Sequence, residues 1–117
     1  MRTGAGGEER AARYFVEQGY TVVARNHRCP RGEVDLVVEK GALLVFVEVR
    51  TRTAATHGLP QETVRTAKQA KVVRAARDWL ARNRVRDREL RFDVVGVLGE
   101  AVTHLPGAFD AGGEFTL

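Results

Sequence analysis

The stretch "GEVDLVVEKGALLVFVEVRTR", residues 32–52, constrains the fold more than any other part of the chain. Two apolar runs, 33–39 and 43–51, alternate as strands do. Gly41–Ala42 separates them, with glycine at the first central position of a type II′ turn. Val34, Leu36 and Val38 share one face of the first strand, and Glu33, Asp35 and Val37 share the other. In the second strand Leu43, Val45, Val47 and Val49 lie opposite Leu44, Phe46, Glu48 and Arg50. Three carboxylates and a guanidinium therefore sit inside runs that otherwise call for burial. Unpaired buried charge is costly, so these residues need partners.

Matching the two wholly apolar faces fixes the parity of the pairing. A two-residue turn pairs Lys40 with Leu43, and counting back sets Asp35 opposite Glu48, with Cβ atoms about 4.5–5.5 Å apart. A four-residue turn would set Glu33 opposite Glu48 instead. Either way two carboxylates meet across the strands, and a cation between them would relieve the repulsion. Arg50, two residues along the same face, is one candidate. A hard divalent cation such as Mg²⁺ is another. The plainer alternative is a solvated polar face carrying an Arg–Glu pair, but Val37, Leu44 and Phe46 share that face and argue for cover.

The rest of the chain supplies the cover. A helix is expected from Gly7 to Gln18, ended by Gly19, with Ala11, Ala12 and Phe15 on its apolar face and Glu8 aligned with them. Residues 20–28 read as a strand followed by the turn "CPRG". Pro60 opens a long helix over about 61–83, and 89–98 and 101–105 read as two further strands. The tail beyond Pro106 is Gly-rich, with Phe109 and Phe115 able to dock on the body. The order αβββαββ describes one mixed α/β domain over residues 1–117. On the long helix Val72, Ala75, Ala76 and Trp79 form the core stripe. Extending it toward the N-terminus reaches Lys68, Arg65 and Gln61, which either meet the carboxylate face of the hairpin or snorkel to solvent.

The net charge is +4, and 16 of the 19 basic residues are arginine, whose fork suits phosphate. The same usage on a solvated surface would explain the composition equally well. Cys29 is the single cysteine, which excludes an internal disulfide and a thiolate metal cluster. No signal peptide or membrane-length apolar run is present, so a cytoplasmic location away from membranes is expected. His27, His57 and His104 lack short metal-ligand spacing and read as structural or surface residues. Asp93 reads as a partner for a nearby arginine, and Trp79 as core.

The spacing of Asp35, Glu48 and Arg50 on adjacent strands after an acidic helix resembles the active-site layout of the PD-(D/E)XK nuclease superfamily. More closely, "GEERAARYF", "ARNHR", "GEVDLVV", "LVFVEVRTR", "RFDVVGV" and "VTHLPGAF" resemble the bacterial YraN-like family over nearly the whole chain. The resemblance implies a restriction-endonuclease-like fold, a central mixed sheet flanked by helices. Its layout is also similar to that of archaeal Holliday-junction resolvases. It implies a metal-dependent endonuclease acting on DNA, including branched or repair intermediates. Glu8, Asp35, Glu48 and Arg50 would then be catalytic. Mg²⁺ or Mn²⁺ would rest on Asp35, Glu48 and the Val49 carbonyl, with Glu8 a candidate addition. Glu33, Arg52, Gln61, Arg65 and Lys68 would support the site or touch phosphate. A homodimer could span a branched duplex, although no sequence feature marks an interface.

Arg50 departs from the superfamily pattern, which has lysine there. A guanidinium stays protonated, so Arg50 cannot act as a general base, though it can hold a water or neutralise phosphate. Lys68 could substitute in part. The departure keeps a second reading open, a non-catalytic nucleic-acid-binding or assembly module on the same fold.

Overall fold

The computed structural model describes residues 3–51 and 66–110. Helix α1 (Thr3–Glu17) leads into strands β1 (Thr21–Cys29), β2 (Gly32–Lys40) and β3 (Leu43–Thr51). Helix α2 (Thr66–Arg82) follows, then β4 (Glu89–Leu98) and β5 (Ala101–Phe109). The five strands form one sheet in the order β1-β2-β3-β4-β5. The pair β3–β4 is parallel and the others are antiparallel. A parallel pair needs a crossover, and α2 lies within it. The order αβββαββ makes the expected α/β domain, and its arrangement is the restriction-endonuclease-like one that the resemblance implies.

The two helices cover opposite faces. Ala11, Ala12 and Phe15 of α1 pack on Leu36, Val38, Val45, Val47, Val49, Val95 and Val97. Val72, Val73, Ala75, Ala76 and Leu80 of α2 pack on Val34, Val37, Leu44, Phe46 and Phe92. Coverage on both sides is why β2 and β3 read as nearly continuous apolar runs. Trp79 meets Phe46 edge-on at 6.1 Å, as core rather than as an exposed stacking surface.

Lys40 pairs with Leu43, and Gly41 adopts φ +60° while Ala42 does not turn positive, as the two-residue turn requires. From there the β2–β3 ladder runs to Leu36↔Val47 and stops. Beyond that point β2 is held by β1 alone, through His27↔Val34, Arg28↔Glu33 and Cys29↔Gly32. The strand alternation also slips here, contrary to expectation. Val34 belongs to the α2-side core and Leu36, two residues on, to the α1-side core. Strand β1 inverts at the same level: Arg25 reaches Glu9 of α1, whereas His27 reaches Asp78 of α2. Register sets Asn26 against Asp35 at the inversion, and Asn26 takes a left-handed φ of +50°. A left-handed residue rotates the strand locally, as in a bulge, and so turns its neighbours to the other face.

The inverted segment lies directly under α2. A Cβ on Gly32 would stand 2.9 Å from the Ala75 nitrogen, the Lys71 carbonyl oxygen and Cys29 Sγ. Backbone cannot yield as a flexible side chain can. Only a glycine lets the helix approach this closely.

At the other side of the sheet β5 continues past 105, through Pro106, to Phe109. Proline is tolerated because β5 is an edge strand. Two extra β5 residues bulge out between the pairs Phe92↔Phe109 and Val94↔Leu105. The fully buried Asp93 catches that bulge by accepting from Gly107 N at 2.9 Å. It also accepts two bonds from Arg91 at 2.8 Å and one from His104 Nε2 at 2.6 Å. His104 Nδ1 meets the Tyr14 hydroxyl at 2.8 Å, tying α1 to β5. Phe109 stacks on Phe92 at 5.3 Å, so that part of the tail docks as expected. Phe115 lies outside the described residues.

Replacing Gly32 with alanine is expected to force α2 off the sheet. Urea unfolding should show a loss of about 1–3 kcal/mol, the range for overpacking a tight contact. An unchanged midpoint would mean that helix and strand can part there without cost.

Candidate metal centre

The end of the β2–β3 ladder creates the site. In a strand, the N–H and C=O of one residue point to the same side. A continued ladder would pass the Val49 N–H to the β2 backbone. Instead the N–H donates to Asp35 Oδ2 at 2.8 Å, across the opening between the strands. The Val49 carbonyl lies on the same edge of β3. Glu48, next in line, sits on the α2 side with Phe46 and is only 3% exposed. The Asp35 and Glu48 carboxyl groups hydrogen-bond to each other, and Asp35 is 8% exposed. Register and parity read from the turn thus bring together the expected pair, Asp35 and Glu48, although formal pairing ends one residue earlier.

Two cations attend the pair. Lys68 Nζ lies 3.3 Å from Glu48 Oε2, and Arg50 Nη1 lies 3.8 Å from the same oxygen. Lys68 thus meets the carboxylate face, where the helical wheel aims it. The Lys68 and Arg50 side chains are each about one-third exposed, 36% and 35%. Even so, burial raises the pKa of Glu48 to about 8, with the Asp35 charge adding to the shift and Lys68 opposing it. Burial also raises Asp35, against the Val49 N–H bond that holds its charged form. Without a further positive charge the pair retains a proton that two isolated carboxylates would have lost.

The other expected residues are placed less centrally. Glu33 lies near enough to raise Asp35, but its own carboxylate takes Arg28 Nε at 3.2 Å. Glu8 is half-buried in the first turns of α1, beside Gly7, whose absent Cβ leaves room for the Thr51 side chain at the end of β3. Among the described residues no three His, Cys, Asp or Glu side chains gather into one ligand set. Arg52, Gln61, Arg65 and His57 lie outside the described residues. Sequence reasoning missed the inversion at Asn26 and Asp35. Its one signal was "RNH", an asparagine tolerant of left-handed φ within an otherwise extended run.

Two neighbouring carboxylates, with the Val49 carbonyl on the same edge of β3, offer an all-oxygen donor set. That set suits a hard divalent cation that keeps several of its waters, as Mg²⁺ does. Burial raises the pKa of both carboxyls, and a bound cation would favour their charged forms. The residues fit such an ion.

Fold and site together define an α/β protein of restriction-endonuclease-like topology with an acidic pair where its central strands part. The chain belongs to the family described as "Uncharacterised protein family UPF0102", whose profile matches residues 7–97. It is 48% identical to a UPF0102 protein of Myxococcus xanthus, over 93% of this chain and 90% of the relative. A UPF0102 protein of Anaeromyxobacter dehalogenans is also 48% identical, over 95% of this chain and 86% of its own. For that of Syntrophotalea carbinolica the identity is 45%, over 97% and 95%. None of the helices among the described residues is long and apolar enough to cross a membrane.

The raised pKa of Glu48 has a sign that can be tested. Its stabilising contribution is complete below the ordinary carboxyl value of 4.5 and is lost as pH rises toward about 8. In EDTA, the wild-type denaturation midpoint should fall across that window relative to Glu48→Gln, whose midpoint should stay flatter. Parallel pH curves for the two proteins would contradict the shared proton.

Proposed function

We propose that this protein is a metal-dependent endonuclease that hydrolyses DNA phosphodiester bonds in the cytoplasm. The observation that carries the reading is the buried Asp35–Glu48 pair at the point where β2 and β3 separate, with Asp35 held by the Val49 N–H. Asp35, Glu48 and the Val49 carbonyl would hold Mg²⁺ or Mn²⁺. Such an ion, once bound, lowers the pKa of a coordinated water and offsets charge developing on a phosphoryl group.

The chain's own residues divide the remaining work. Val49 N–H fixes the orientation of Asp35, so one ligand oxygen is set before the ion arrives. Lys68 holds Glu48 from α2. Loading the site displaces the proton that the pair shares, so affinity should rise with pH. Arg50 stays protonated and therefore serves as a donor, to the attacking water or to a phosphate oxygen, rather than as a base. Lys68 lies closer to Glu48 than Arg50 does, and supplies from α2 an ammonium that the superfamily pattern supplies from the position of Arg50. Glu33, already bound to Arg28, contributes charge near the site rather than a ligand.

The arginine at position 50 also supports a second reading, a nucleic-acid-binding or assembly module without turnover. Calorimetry separates the parts. Mn²⁺ and Mg²⁺ should bind the wild type, and Asp35→Asn and Glu48→Gln should each weaken binding at least about tenfold, as loss of a ligand commonly does. Branched, nicked and single-stranded DNA should then be cut by the wild type with metal, and not by Glu48→Gln. Metal binding without cleavage of any substrate would favour the second reading. No metal binding, with or without DNA, would remove the first.

A further inference from the structure

We propose that a row of unpaired cations, Lys71 and Arg74 on α2 with Arg31 on the β1–β2 turn, forms a track for the sugar–phosphate strand of DNA leading to the acidic pair. The inference rests on the nuclease reading for its direction, but it concerns residues which that reading does not use.

Lys68, Lys71 and Arg74 recur every third residue along one helix. Neighbours in this row rise by about 4.5 Å along the axis. The first of them is at the site, 3.3 Å from Glu48. The backbone carbonyl of the next lies over Gly32, where α2 packs tightly on the sheet. Arg74 Nη1 donates to the Arg31 carbonyl at 3.2 Å and fastens the turn beneath the helix. Arg31 holds a left-handed φ of +69°, uncommon for a residue with a side chain. From Gly32, β2 runs to Asp35, about 10 Å along the strand. Helix and strand therefore both lead from this group of cations to the carboxylates.

Beyond Lys68, which pairs with Glu48, the charges along the row are not spent on ion pairs among the described residues. Lys71, Arg74 and Arg31 are exposed, and none has an ion-pair partner among the described residues. Arg77, one step farther along the row, is likewise exposed and without an ion-pair partner among the described residues, whereas Arg28 is taken by Glu33 and Arg82 by Asp78. A series of cations without ion-pair partners that ends at the acidic pair matches a polyanion with regularly spaced phosphates. Each cation that neutralises a phosphate releases a counterion and adds to the salt dependence of binding. Arg84 and Arg86 are also exposed and unpaired among the described residues, but they follow α2 at its far end. They provide a matched control for charge alone.

The experiment measures fluorescence anisotropy of a labelled DNA oligonucleotide with the full chain in EDTA, from 50 to 200 mM salt. Lys71→Ala, Arg74→Ala and Arg31→Ala should each weaken binding about fivefold and reduce the magnitude of the salt slope by about 0.7–0.9. Arg84→Ala and Arg86→Ala should leave both unchanged. Mn²⁺ affinity of the Lys71→Ala/Arg74→Ala protein, by calorimetry, should equal that of the wild type and also shows that it is folded. Equal losses in all five variants would overturn the track in favour of diffuse attraction. Absence of DNA binding in the wild type would overturn it while leaving the metal site intact. Track-dependent DNA binding in a protein that binds no Mn²⁺ would instead retain the track and remove the nuclease reading.

Discussion

The bond from Val49 N–H to the Asp35 carboxylate is the interaction on which the site depends. A side chain there takes the place of a ladder partner, so β2 and β3 can separate without leaving the amide unsatisfied. Separation admits carboxyl groups between two strands that are otherwise sealed by valine and leucine. It also leaves the Val49 carbonyl at the same edge. The inversion falls at the same level, turning Val34 to the α2 side while Leu36 stays on the α1 side. The close seat of α2 over Gly32 then brings the helix carrying Lys68 against that opening.

The same sheet contains a third buried acid, Asp93, and the contrast is informative. Burial would raise the pKa of Asp93, but donors on Arg91, His104 and Gly107 outweigh it, and the net shift is downward. That carboxylate is complete, and its role is to hold a bulged edge strand and, through His104 and Tyr14, the first helix. Asp35 and Glu48 have cations nearby and still shift upward. They lie within one small sheet, so overall burial does not separate the two cases. The number of donors aimed at each group does. Perturbation of this kind, in a pair with a specific geometry, is a common mark of a functional site.

Much of this was legible in the sequence for identifiable reasons. Glycine at position 41 fixed the turn, the turn fixed the register, and the register brought Asp35 to Glu48. The 3.6-residue period of α2 carried Lys68 to the same place. Strict alternation along β2 was the part that failed. It assumes one regular pleat, whereas the left-handed conformation of Asn26 on the neighbouring strand depends on pairing that no local pattern encodes. The extension of β5 through Pro106 was hidden for a similar reason. Proline and glycine are turn signals in isolation, and only the buried Asp93 makes them a bulge within a strand. Glu33 illustrates the limit of proximity in sequence, since Arg28 across the ladder claims its charge.

Anomalous scattering from crystals grown with Mn²⁺ tests the central claim most directly, because it locates the ion without relying on activity. The account predicts a peak in the opening between β2 and β3, within about 2.0–2.6 Å of oxygens from Asp35, Glu48 and Val49. A structure at saturating Mn²⁺ with Asp35 and Glu48 still bonded to each other and no peak between them would contradict it.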